Sequence, residues 1–487
     1  MATDDIRYER LKKLDALRAA GIDPYPAESN RTHDNATFLK AFEALRNSKE
    51  SVTLGGRIMS LRNQGGITFV DLFDGTERVQ ALVQKDKVGE GTFAQFLELV
   101  GVSDFVEATG SAFVTKRGTN SLLASSWRML AKSIRQVPDE WFGLKDEDQR
   151  YRKRYLDMLL DPEVAALVKK RSVFWNTVRS FMLERGFVEV ETPILETKTG
   201  GAEARPFITR HNALAIEVYL RISHELWHKK LIIGGLPKVF EIGRVFRNEG
   251  ISYEHAQDYT HFEFYEAYQD ARRGVPMLIE LYRAVAQKTF GTLLFTMGGH
   301  VVDLGREWER LDYNELMRAR YGFDPREVGQ SPHEGRALLR KHFDSSYDGD
   351  IKETGRAIDF LWKQIRKTIA GPTILTGIPV YLEPLAKKTK GDARVVDRFQ
   401  ILLGGSEVGK AFNELNDPID QRERFEQQQT LRDAGDEEAQ MADFEYVEAM
   451  EYGMPPTFGF GVSERLFSFL AGKSIREAQA FPLMRPR

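Results

Sequence analysis

The chain has 487 residues, which is too long for one ordinary core and predicts two or more domains. Its composition is 42% hydrophobic and 29% charged, as in globular proteins, and its net charge of −3 excludes a generally basic nucleic-acid binder but not a local basic patch. The absence of cysteine excludes disulfides, cysteine-bound metals and thiol nucleophiles, and the lack of a signal peptide or of a run of roughly 20 apolar residues predicts a cytoplasmic protein outside the membrane.

Residues 1–50 are predicted to form a helical extension. Apolar residues recur at helical spacing over residues 5–20, and Gly21 followed by Pro24 ends that pattern. A second helical stretch covers about residues 37–47. We interpret both helices as packing elements for the domain that follows.

Residues 51–137 change to short β-rich segments separated by glycine-containing turns. Three such segments, one helical stretch and two further segments follow in that order. This order is typical of an OB-fold barrel, which commonly binds single-stranded nucleic acid, although short strands in this order also occur in other folds. Residues 138–162 are interpreted as a hinge or linker, whose basic and aromatic run at 150–155 fits a solvated helix face and a binding site equally well.

Residues 163–487 alternate between helices and strands without the regular rhythm of a doubly wound sheet, which predicts an α+β domain. A helix over 163–185 ends at Gly186, and a helical insertion is expected at about 310–370. The sequence has neither a P-loop nor a G-x-G-x-x-G turn before a helix, so a bound nucleotide would be held by another device.

Two β-type runs, 238–249 and 259–268, are separated by a polar loop and predict an antiparallel hairpin. Alternation along the first run places Arg247 and Glu249 on one face, and alternation along the second does the same for Glu263 and Tyr265. An arginine beside a carboxylate suits the binding of a phosphate and an amine. A cross-strand ion pair explains the same residues, and the hairpin alone favours that simpler interpretation.

A third β-type run carries Lys410, Phe412 and Glu414 at alternating positions, with Glu407 three residues before the lysine. A carboxylate, an aromatic wall and a cation on one face are typical of a pocket for a small polar ligand, although an ordinary strand remains an alternative. Near the C-terminus, glycines 459 and 461 precede Arg465 and an apolar helix, so that a ligand could approach the backbone and contact the arginine. As a single motif, this segment is only weak evidence for a ligand-binding site.

Together, these segments resemble the class II aminoacyl-tRNA synthetases, and specifically the lysyl enzymes. The resemblance is carried by GFVEVETPIL at 186–195 (motif 1), FEIGRVFRNEGIS with THFEFYEAY (motif 2) and GFGVSERL at 459–466 (motif 3). It covers nearly the whole chain. It implies an α+β fold with an N-terminal OB-fold β-barrel and a class II catalytic domain, an antiparallel sheet flanked by helices, and it implies a homodimer through motif 1.

The resemblance also implies that the chain activates L-lysine with ATP and Mg²⁺ and transfers it to tRNA(Lys). Arg247 would hold the ATP α-phosphate and stabilise the pentavalent transition state, and Arg465 would share the catalytic role with it. The implied ATP-binding residues are Arg247, Glu249, His255, Tyr259, Glu407 and Arg465. The implied lysine-binding residues are Gly201, Glu225, Arg247, Glu263, Tyr265, Lys410, Phe412 and Glu414. Arg62, Phe69 and Gln80 would read the anticodon, Glu407 would bind the metal, and Gln400 stands at a second metal position.

The residue types of the implied pocket support a cationic substrate independently of the family. Three carboxylates and a phenol favour an ammonium, whereas an aspartate site would need a cation. This chemistry separates the lysyl enzymes from the aspartyl and asparaginyl enzymes, which share the same domain plan. Two other functions remain alternatives: a catalytic-domain paralogue that modifies a protein lysine, which would lack the barrel, and a tRNA-binding protein that no longer activates an amino acid.

Several positions depart from the family pattern. Gln400 replaces a metal-binding Glu and Lys410 replaces an Asn, a shift of +2 in local charge. Either the Lys410 ammonium replaces one Mg²⁺ by contacting the lysine carboxylate or a phosphate, or the two changes are unrelated. In the motif 2 loop Glu254 replaces an Arg and therefore has no assigned role, and in motif 3 Glu464 replaces an Asp.

Overall fold

The computed structural model describes residues 3–138, 144–250, 252–329, 332–342, 354–435 and 439–486. The chain divides into two compact units, Met1–Lys145 and Asp146–Arg487. Across these described ranges, no helix is long and apolar enough to cross a membrane.

The first unit is a closed barrel with helices. Its helices are α1 (Thr3–Ala19), α2 (Asn35–Lys40), α3 (Phe42–Ser48), α4 (Lys85–Val88) and α5 (Glu90–Leu99). Its strands are β1 (Ser51–Gln64), β2 (Ile67–Phe73), β3 (Arg78–Gln84), β4 (Phe105–Val114) and β5 (Asn120–Ala131). The strands close in the order β1-β2-β3-β5-β4, with β3 and β5 parallel and the other pairs antiparallel.

Buried and half-buried residues alternate along the barrel strands, without exception in β2, so every second side chain points into the barrel. Val70 and Leu72 point into a core that also receives Leu17 from α1 and Phe38 and Phe42 from α2 and α3. The extension helices therefore pack on the barrel, and the predicted OB-fold is confirmed.

The second unit contains the remaining elements. Its helices are α6 (Glu147–Arg152), α7 (Arg154–Leu160), α8 (Pro162–Leu183), α9 (Glu225–Ile233), α10 (Ala271–Phe290), α11 (Tyr313–Tyr321), α12 (Pro332–His342), α13 (Thr354–Arg366), α14 (Pro418–Asp433), α15 (Phe444–Glu451), α16 (Arg465–Leu470) and α17 (Ile475–Ala478). Its strands are β6 (Val188–Glu189), β7 (Leu195–Glu196), β8 (Ile208–His211), β9 (Ile216–Leu220), β10 (Lys238–Phe246), β11 (Asp258–Ala267), β12 (Leu294–Met297), β13 (His300–Asp303), β14 (Glu309–Asp312), β15 (Thr373–Thr376), β16 (Ile378–Pro379), β17 (Lys388–Thr389), β18 (Asp392–Val396), β19 (Arg398–Leu403), β20 (Ser406–Asn413) and β21 (Thr457–Ser463).

The main sheet has eight strands in the order β14-β15-β19-β20-β21-β11-β10-β6. Five of its seven pairings are antiparallel, and only the outermost pairs, β14 with β15 and β10 with β6, are parallel. The predicted α+β class with a mainly antiparallel sheet is confirmed.

Helices α8 and α10 cover one face of this sheet. The largest core cluster joins Phe174 of α8 and Leu278 of α10 to Phe262, Phe264 and Phe460 of the sheet. The opposite face, over β10, β11, β20 and β21, therefore remains available to line a site.

Two predicted regions include residues outside the described part of the chain. Residues 139–143 belong to the predicted linker at 138–162, whose later residues form α6 and α7. Residues 330, 331 and 343–353 belong to the insertion predicted at about 310–370, where the described residues include α11, α12 and α13.

The run FVEVETPIL at 187–195, whose β-type pattern predicts one strand directly after the helix that ends at Gly186, is two short strands, β6 and β7, separated by an irregular stretch. Pro193 has no N–H to donate to a neighbouring strand. The N–H and hydroxyl of Thr192 donate to the side chain of Glu241 at 3.1 and 2.7 Å instead of continuing a ladder. The prediction of a continuous strand was therefore wrong.

Candidate active site

A cleft of about 260 Å³ opens on the main sheet of the second unit. Strands β11, β20 and β21 each supply three of its lining residues, helix α13 supplies four, and Glu225 at the N-terminus of α9 supplies one more. Nine residues named from the sequence line it: Gly201, Glu225, Arg247, Glu263, Tyr265, Gln400, Glu407, Lys410 and Phe412. Residues separated by more than 200 positions in sequence thus converge on one space.

Arg247 lies just beyond strand β10, which ends at Phe246, so Arg247 and Glu249 do not share a strand face as expected. The N–H of Arg247 still donates to Gln257 at 2.7 Å, but the N–H of Asn248 turns away to the carbonyl of Arg205. Among the described residues, no carboxylate lies within 4.0 Å of the Arg247 guanidinium, whose other contacts are the Ile222 carbonyl at 3.4 Å and the Tyr259 ring at 5.8 Å. A cleft-lining cation without a carboxylate partner can bind an anionic ligand.

Glu263, in contrast to the cationic Arg247, is a buried and ionised carboxylate. Its Oε1 accepts hydrogen bonds from the Ser223 hydroxyl at 2.7 Å and the His224 N–H at 3.1 Å, and its Oε2 accepts one from the Tyr265 hydroxyl at 3.0 Å. His261 Nε2 lies 3.2 Å from Oε1. Burial opposes ionisation, but the contacts with His224 and His261 outweigh it and hold the pKa of Glu263 well below its ordinary range.

Glu225 and Glu414 both contact Lys229, a residue that was not predicted from the sequence to belong to the site. The ammonium of Lys229 is 2.6 Å from Glu225 Oε1 and 2.5 Å from Glu414 Oε2. Glu225 lines the cleft, whereas Glu414 follows the end of β20 and is buried behind Gly459. The only sequence signal for this arrangement was the spacing of four residues between Glu225 and Lys229 on one helix, which by itself is more typical of an exposed ion pair.

Gln400 and Lys410, the two departures from the family pattern, are direct cross-strand partners on β19 and β20. Arg398 donates to Gln400 Oε1 at 2.9 Å and also lies 3.3 Å from Glu383. The Lys410 ammonium is 3.5 Å from the same Glu383 oxygen and 5.7 Å from the Phe412 ring. One polar network therefore connects both changed positions, and neither Arg398 nor Glu383 was identified from sequence.

Glu407 is partly exposed at the cleft, where its Oε1 accepts a hydrogen bond from Trp362 Nε1 at 2.8 Å and lies 3.5 Å from Arg366. Burial opposes ionisation, but Arg366 and Arg398 outweigh it and lower the pKa of Glu407. Throughout the described part of the chain, no three acidic or histidine side chains converge as a preformed metal site. One carboxylate fits a Mg²⁺ ion that takes most of its other ligands from phosphates and water.

The loop between β10 and β11 contacts Arg465 at the start of α16. Glu254, whose role the sequence left open, accepts a hydrogen bond from the Ser406 hydroxyl at 2.9 Å and lies 3.6 Å from the Arg465 guanidinium. Arg465 also donates to the backbone carbonyls of Glu254 and Glu407, both at 3.3 Å. Burial, with Arg465 nearby, lowers the pKa of His255 to about 4, so this imidazole is neutral at pH 7.

Tyr259 is buried at the start of β11, where it pairs with Val245 of β10. Glu249 has an irregular backbone, and its carbonyl accepts a hydrogen bond from the Gln257 amide at 3.3 Å. Glu464, the longer acid of motif 3, is fully buried and contacts Arg171 at 2.5 Å and the N–H of Thr260 at 3.1 Å. It therefore ties the start of α16 to β11 and α8.

Arg62, Phe69 and Gln80 lie in the first unit and form a separate group on the outer face of the barrel. Arg62 pairs directly with Phe69 across β1 and β2, and its guanidinium is 5.9 Å from the ring. Gln80 pairs with Asp71, two residues along from Phe69 on the same face of β2. All three side chains are at least partly exposed.

Comparison with known proteins matches both units. A family model described as tRNA synthetases class II (D, K and N) matches residues 146–485, and an OB-fold nucleic acid binding domain model matches residues 52–130. The lysine–tRNA ligase of Fervidobacterium nodosum is 41% identical over 99% of this chain and 94% of its own length. Those of Roseiflexus sp. (strain RS-1) and Moorella thermoacetica are 40% and 41% identical over all of this chain and 100% and 99% of their own.

Proposed function

The chain belongs to the class II tRNA synthetases and is a lysine–tRNA ligase, and from that premise we propose how its residues divide the reaction. In the first step the lysine carboxylate attacks the α-phosphorus of ATP, pyrophosphate leaves, and lysyl-adenylate forms. In the second step a tRNA hydroxyl displaces AMP from the adenylate. Neither step needs a covalent bond to the protein, so binding geometry and charge carry the catalysis.

The observation that carries this proposal is the placement of opposite charges in one cleft. Arg247 lines the cleft without a carboxylate partner among the described residues, and Glu263 lines it as an ionised acid. Lysine carries a carboxylate and a side-chain ammonium that fit these two groups. Bound in this way, its carboxylate lies beside the arginine that would also hold the α-phosphate and neutralise the charge that develops on it.

The pocket for the lysine side chain is formed by Glu263 and Tyr265, with Phe412 as its apolar wall and Gly201 at its entrance. Gly201 adopts a φ of +83°, and a Cβ there would lie 2.8 Å from Glu225, so a larger residue would fill the space beside the acid. Glu225, Glu414 and Lys410 complete the group of residues proposed to bind lysine. Lys410 would contact the lysine carboxylate or a phosphate.

The ATP subsite is proposed along the loop after β10. Adenine would stack between Tyr259 and Arg465, with Glu249 near its amino group and the neutral His255 toward the γ-phosphate. Glu407 would hold Mg²⁺, which supplies charge neutralisation at the phosphates, and Gln400 would at most add a neutral oxygen. Glu254 anchors this loop to Ser406 and Arg465 and thus positions the groups around it.

The barrel is proposed to read the anticodon of tRNA(Lys) through Arg62, Phe69 and Gln80. An exposed aromatic ring suits base stacking, a guanidinium suits the phosphates, and an amide can read a base edge. Because ATP and tRNA are the substrates of translation, we also propose a cytoplasmic location.

A homodimer is proposed from an apolar surface on α8, β6, β7 and the chain between these strands. Five large apolar side chains there are 43–51% exposed: Val173, Leu183, Val188, Ile194 and Leu195. A second copy of the chain would cover them, as is usual for a large exposed apolar patch.

The direct test is amino-acid-dependent exchange of pyrophosphate into ATP, without tRNA, across all the standard amino acids. We expect exchange with lysine alone. Exchange with aspartate or asparagine would show that the pocket is assigned to the wrong substrate. No exchange with any amino acid would favour a tRNA-binding protein that no longer activates its substrate.

A further inference from the structure

Three histidines lie in a row beside the acid that is proposed to bind the substrate ammonium. The ring of His224, the residue before α9, stacks on the ring of His228 at 5.7 Å and on the ring of His261 of β11 at 5.9 Å. His224 and His228 are 0% exposed. Glu241 lies 3.6 Å from His224 Nε2 and 3.3 Å from His228 Nε2. Glu263 lies 3.6 Å from His224 Nδ1 and 3.2 Å from His261 Nε2, so the row connects two buried carboxylates.

Two glycines on neighbouring strands leave the space that the imidazoles occupy. A Cβ at Gly243 of β10 would lie 2.4 Å from the Arg221 guanidinium and 2.9 Å from His224 Nε2. A Cβ at Gly461 of β21 would lie 3.1 Å from His261 Nε2. A side chain at either position would crowd a ring of the row, because the interior around it is closely packed. The sheet is therefore shaped to hold these imidazoles beside the cleft.

Near neutral pH the row is uncharged beside an ionised acid. Burial lowers the pKa of His224 to about 4, although Glu263 and Glu241 oppose this shift. Burial also lowers the pKa of His261, again against the attraction of Glu263. The pKa of Glu263 itself lies well below its ordinary range. Neutral rings do not cancel the charge of this carboxylate, which is then available to a cationic substrate.

His261 is the member of the row that a substrate can approach, since its side chain is 13% exposed and lines the cleft. The charged or titratable groups that face it are Glu263 and Tyr259 on β11, Arg247 after β10, Lys410 on β20 and His224 before α9. Those that face His224 are Glu241, Glu263, Arg221, His228 and His261. Around His261, Glu263 attracts a proton to the ring, whereas Arg247 and Lys410 oppose it. A substrate ammonium bound to Glu263 would add a further opposing charge.

We propose that His261 is a positioning residue that makes the affinity for lysine depend on pH: its neutral ring leaves the charge of Glu263 to the substrate ammonium, and its protonated ring neutralises that charge. The proposal rests on the lysine–tRNA ligase function, with Glu263 and Tyr265 binding the side-chain ammonium, and deepens it. An imidazolium and an ammonium that share one carboxylate repel each other. Lysine binding and protonation of His261 therefore weaken each other by the same factor.

The first test is lysine binding by the full-length protein, measured by calorimetry without ATP between pH 7.5 and 5. A group that must be neutral for binding lowers the affinity by up to about tenfold for each pH unit below its pKa. His261→Gln keeps a polar side chain beside Glu263 but does not titrate. The ratio of the Kd of the parent to the Kd of this variant should therefore increase several-fold as the pH falls from 7.5 to 5.

The comparison of the two proteins cancels the other titrations of the pocket. Burial raises the pKa of Glu225 to about 7 and that of Glu414 to about 8, so these acids take up protons over the same range in parent and variant alike. His211→Gln is the matched control, since His211 is exposed on β8 in a different sheet. Its Kd for lysine should follow that of the parent at every pH. A ratio between the parent and His261→Gln that stays constant from pH 7.5 to 5 would overturn the proposal.

The parent protein allows a second measurement that does not depend on the folding of a variant. With 15N-labelled histidine, NMR follows each imidazole from pH 7.5 to 5, with and without saturating lysine. A several-fold effect on affinity corresponds to a shift of about half a pH unit or more in the midpoint of one imidazole, toward lower pH when lysine binds. The exposed ring of His211 should not respond. If lysine moves no imidazole midpoint toward lower pH, the inference is refuted.

The outcomes separate this proposal from the function on which it rests. A parent protein that does not bind lysine at pH 7.5 contradicts the proposed function, whatever His261 does. A parent that binds lysine at pH 7.5, with a pH dependence that His261→Gln leaves unchanged, contradicts the inference alone.

Discussion

At the scale of single residues, the two departures from the family pattern are linked by contacts. Gln400 and Lys410 are cross-strand partners, and Arg398 and Glu383 connect them in one network. A glutamate at position 400 would pair with Arg398 and compete with Glu383 for it. The neutral amide avoids that competition and leaves Glu383 shared between Arg398 and Lys410. This arrangement favours the hypothesis that the two changes are related over the alternative that they are independent.

This network predicts a lower requirement for Mg²⁺ than in a protein with the usual residues. If the Lys410 ammonium neutralises charge that a second ion would otherwise neutralise, Gln400→Glu/Lys410→Asn should need several-fold more Mg²⁺ for half-maximal pyrophosphate exchange. The measurement is a Mg²⁺ titration at saturating ATP and lysine, with each single variant as a control. A double variant that needs no more Mg²⁺ than the parent would refute the replacement hypothesis.

At the scale of elements, strand β7 places Glu196 in a buried site where no described basic side chain lies at hydrogen-bonding distance. Its Oε1 accepts a hydrogen bond from Trp227 at 2.6 Å, while its Oε2 has no partner among the described residues. Burial raises the pKa of Glu196 to about 8 from an ordinary 4.5. Between about pH 4.5 and 8 the folded protein therefore binds more protons at this acid than the unfolded chain does. The free energy of unfolding falls as the pH rises through that window, and the loss is complete above pH 8.

Glu196→Gln should remove that loss. We expect the melting temperature of the variant to equal that of the parent near pH 4, where Glu196 is mainly protonated in the folded and the unfolded chain alike. At pH 9 the variant should be more stable by about 2 kcal/mol, or roughly 3 °C for a unit of this size. Calorimetry at both pH values measures this, and Glu217→Gln, an exposed acid on β9 of the same small sheet, should show no such pH-dependent gain. A Glu196→Gln variant that is less stable at pH 9 would contradict the prediction.

The face of the barrel formed by β1, β2 and β3 predicts a defect confined to tRNA. Phe69→Ala should lower kcat/KM for tRNA in aminoacylation about tenfold or more, because one stacked base is worth roughly 1–3 kcal/mol. Phe73→Ala is the matched control, since Phe73 is on the same strand and lies 5.9 Å from an arginine, Arg78, at the opposite end. Lysine-dependent exchange without tRNA verifies that the second unit is intact. Equal losses in the two variants would argue against the assigned face.

Element patterns explain how much of the molecule could be predicted from its sequence. Alternation and turn signals predicted the barrel and the β10–β11 hairpin because these depend on local periodicity. The end of β10 at Phe246 could not be predicted, since it depends on a hydrogen bond from Asn248 to the distant Arg205. The buried Lys229 was missed for a similar reason: a lysine four residues after a glutamate is usually exposed, and its second partner, Glu414, lies 185 positions later. Site residues were found as separate motifs, whereas the cations that control their charge became visible only in three dimensions.

At the scale of the whole molecule, the apolar surface on α8, β6 and β7 stays exposed in the part of the chain that the structure describes. The five exposed apolar side chains of this surface include Val188 at 49% and Val173 at 43%. They come from a helix, two short strands and the chain between them, and large apolar side chains exposed in such numbers are typical of an interface. A two-fold arrangement would place the same surface of each copy against that of the other.

The dimer predicts a mass of about twice 55.6 kDa for the purified protein at micromolar concentration. Val188→Glu places a charge on this surface and should shift the mass toward that of one chain, because a buried, unpaired carboxylate is costly. Leu294→Glu is the matched control, since Leu294 is 58% exposed on β12, outside this surface, and should leave the mass unchanged. Light scattering after size exclusion measures both variants. A parent that runs at 55.6 kDa would exclude the dimer, and a Val188→Glu variant that retains the doubled mass would move the interface to another surface.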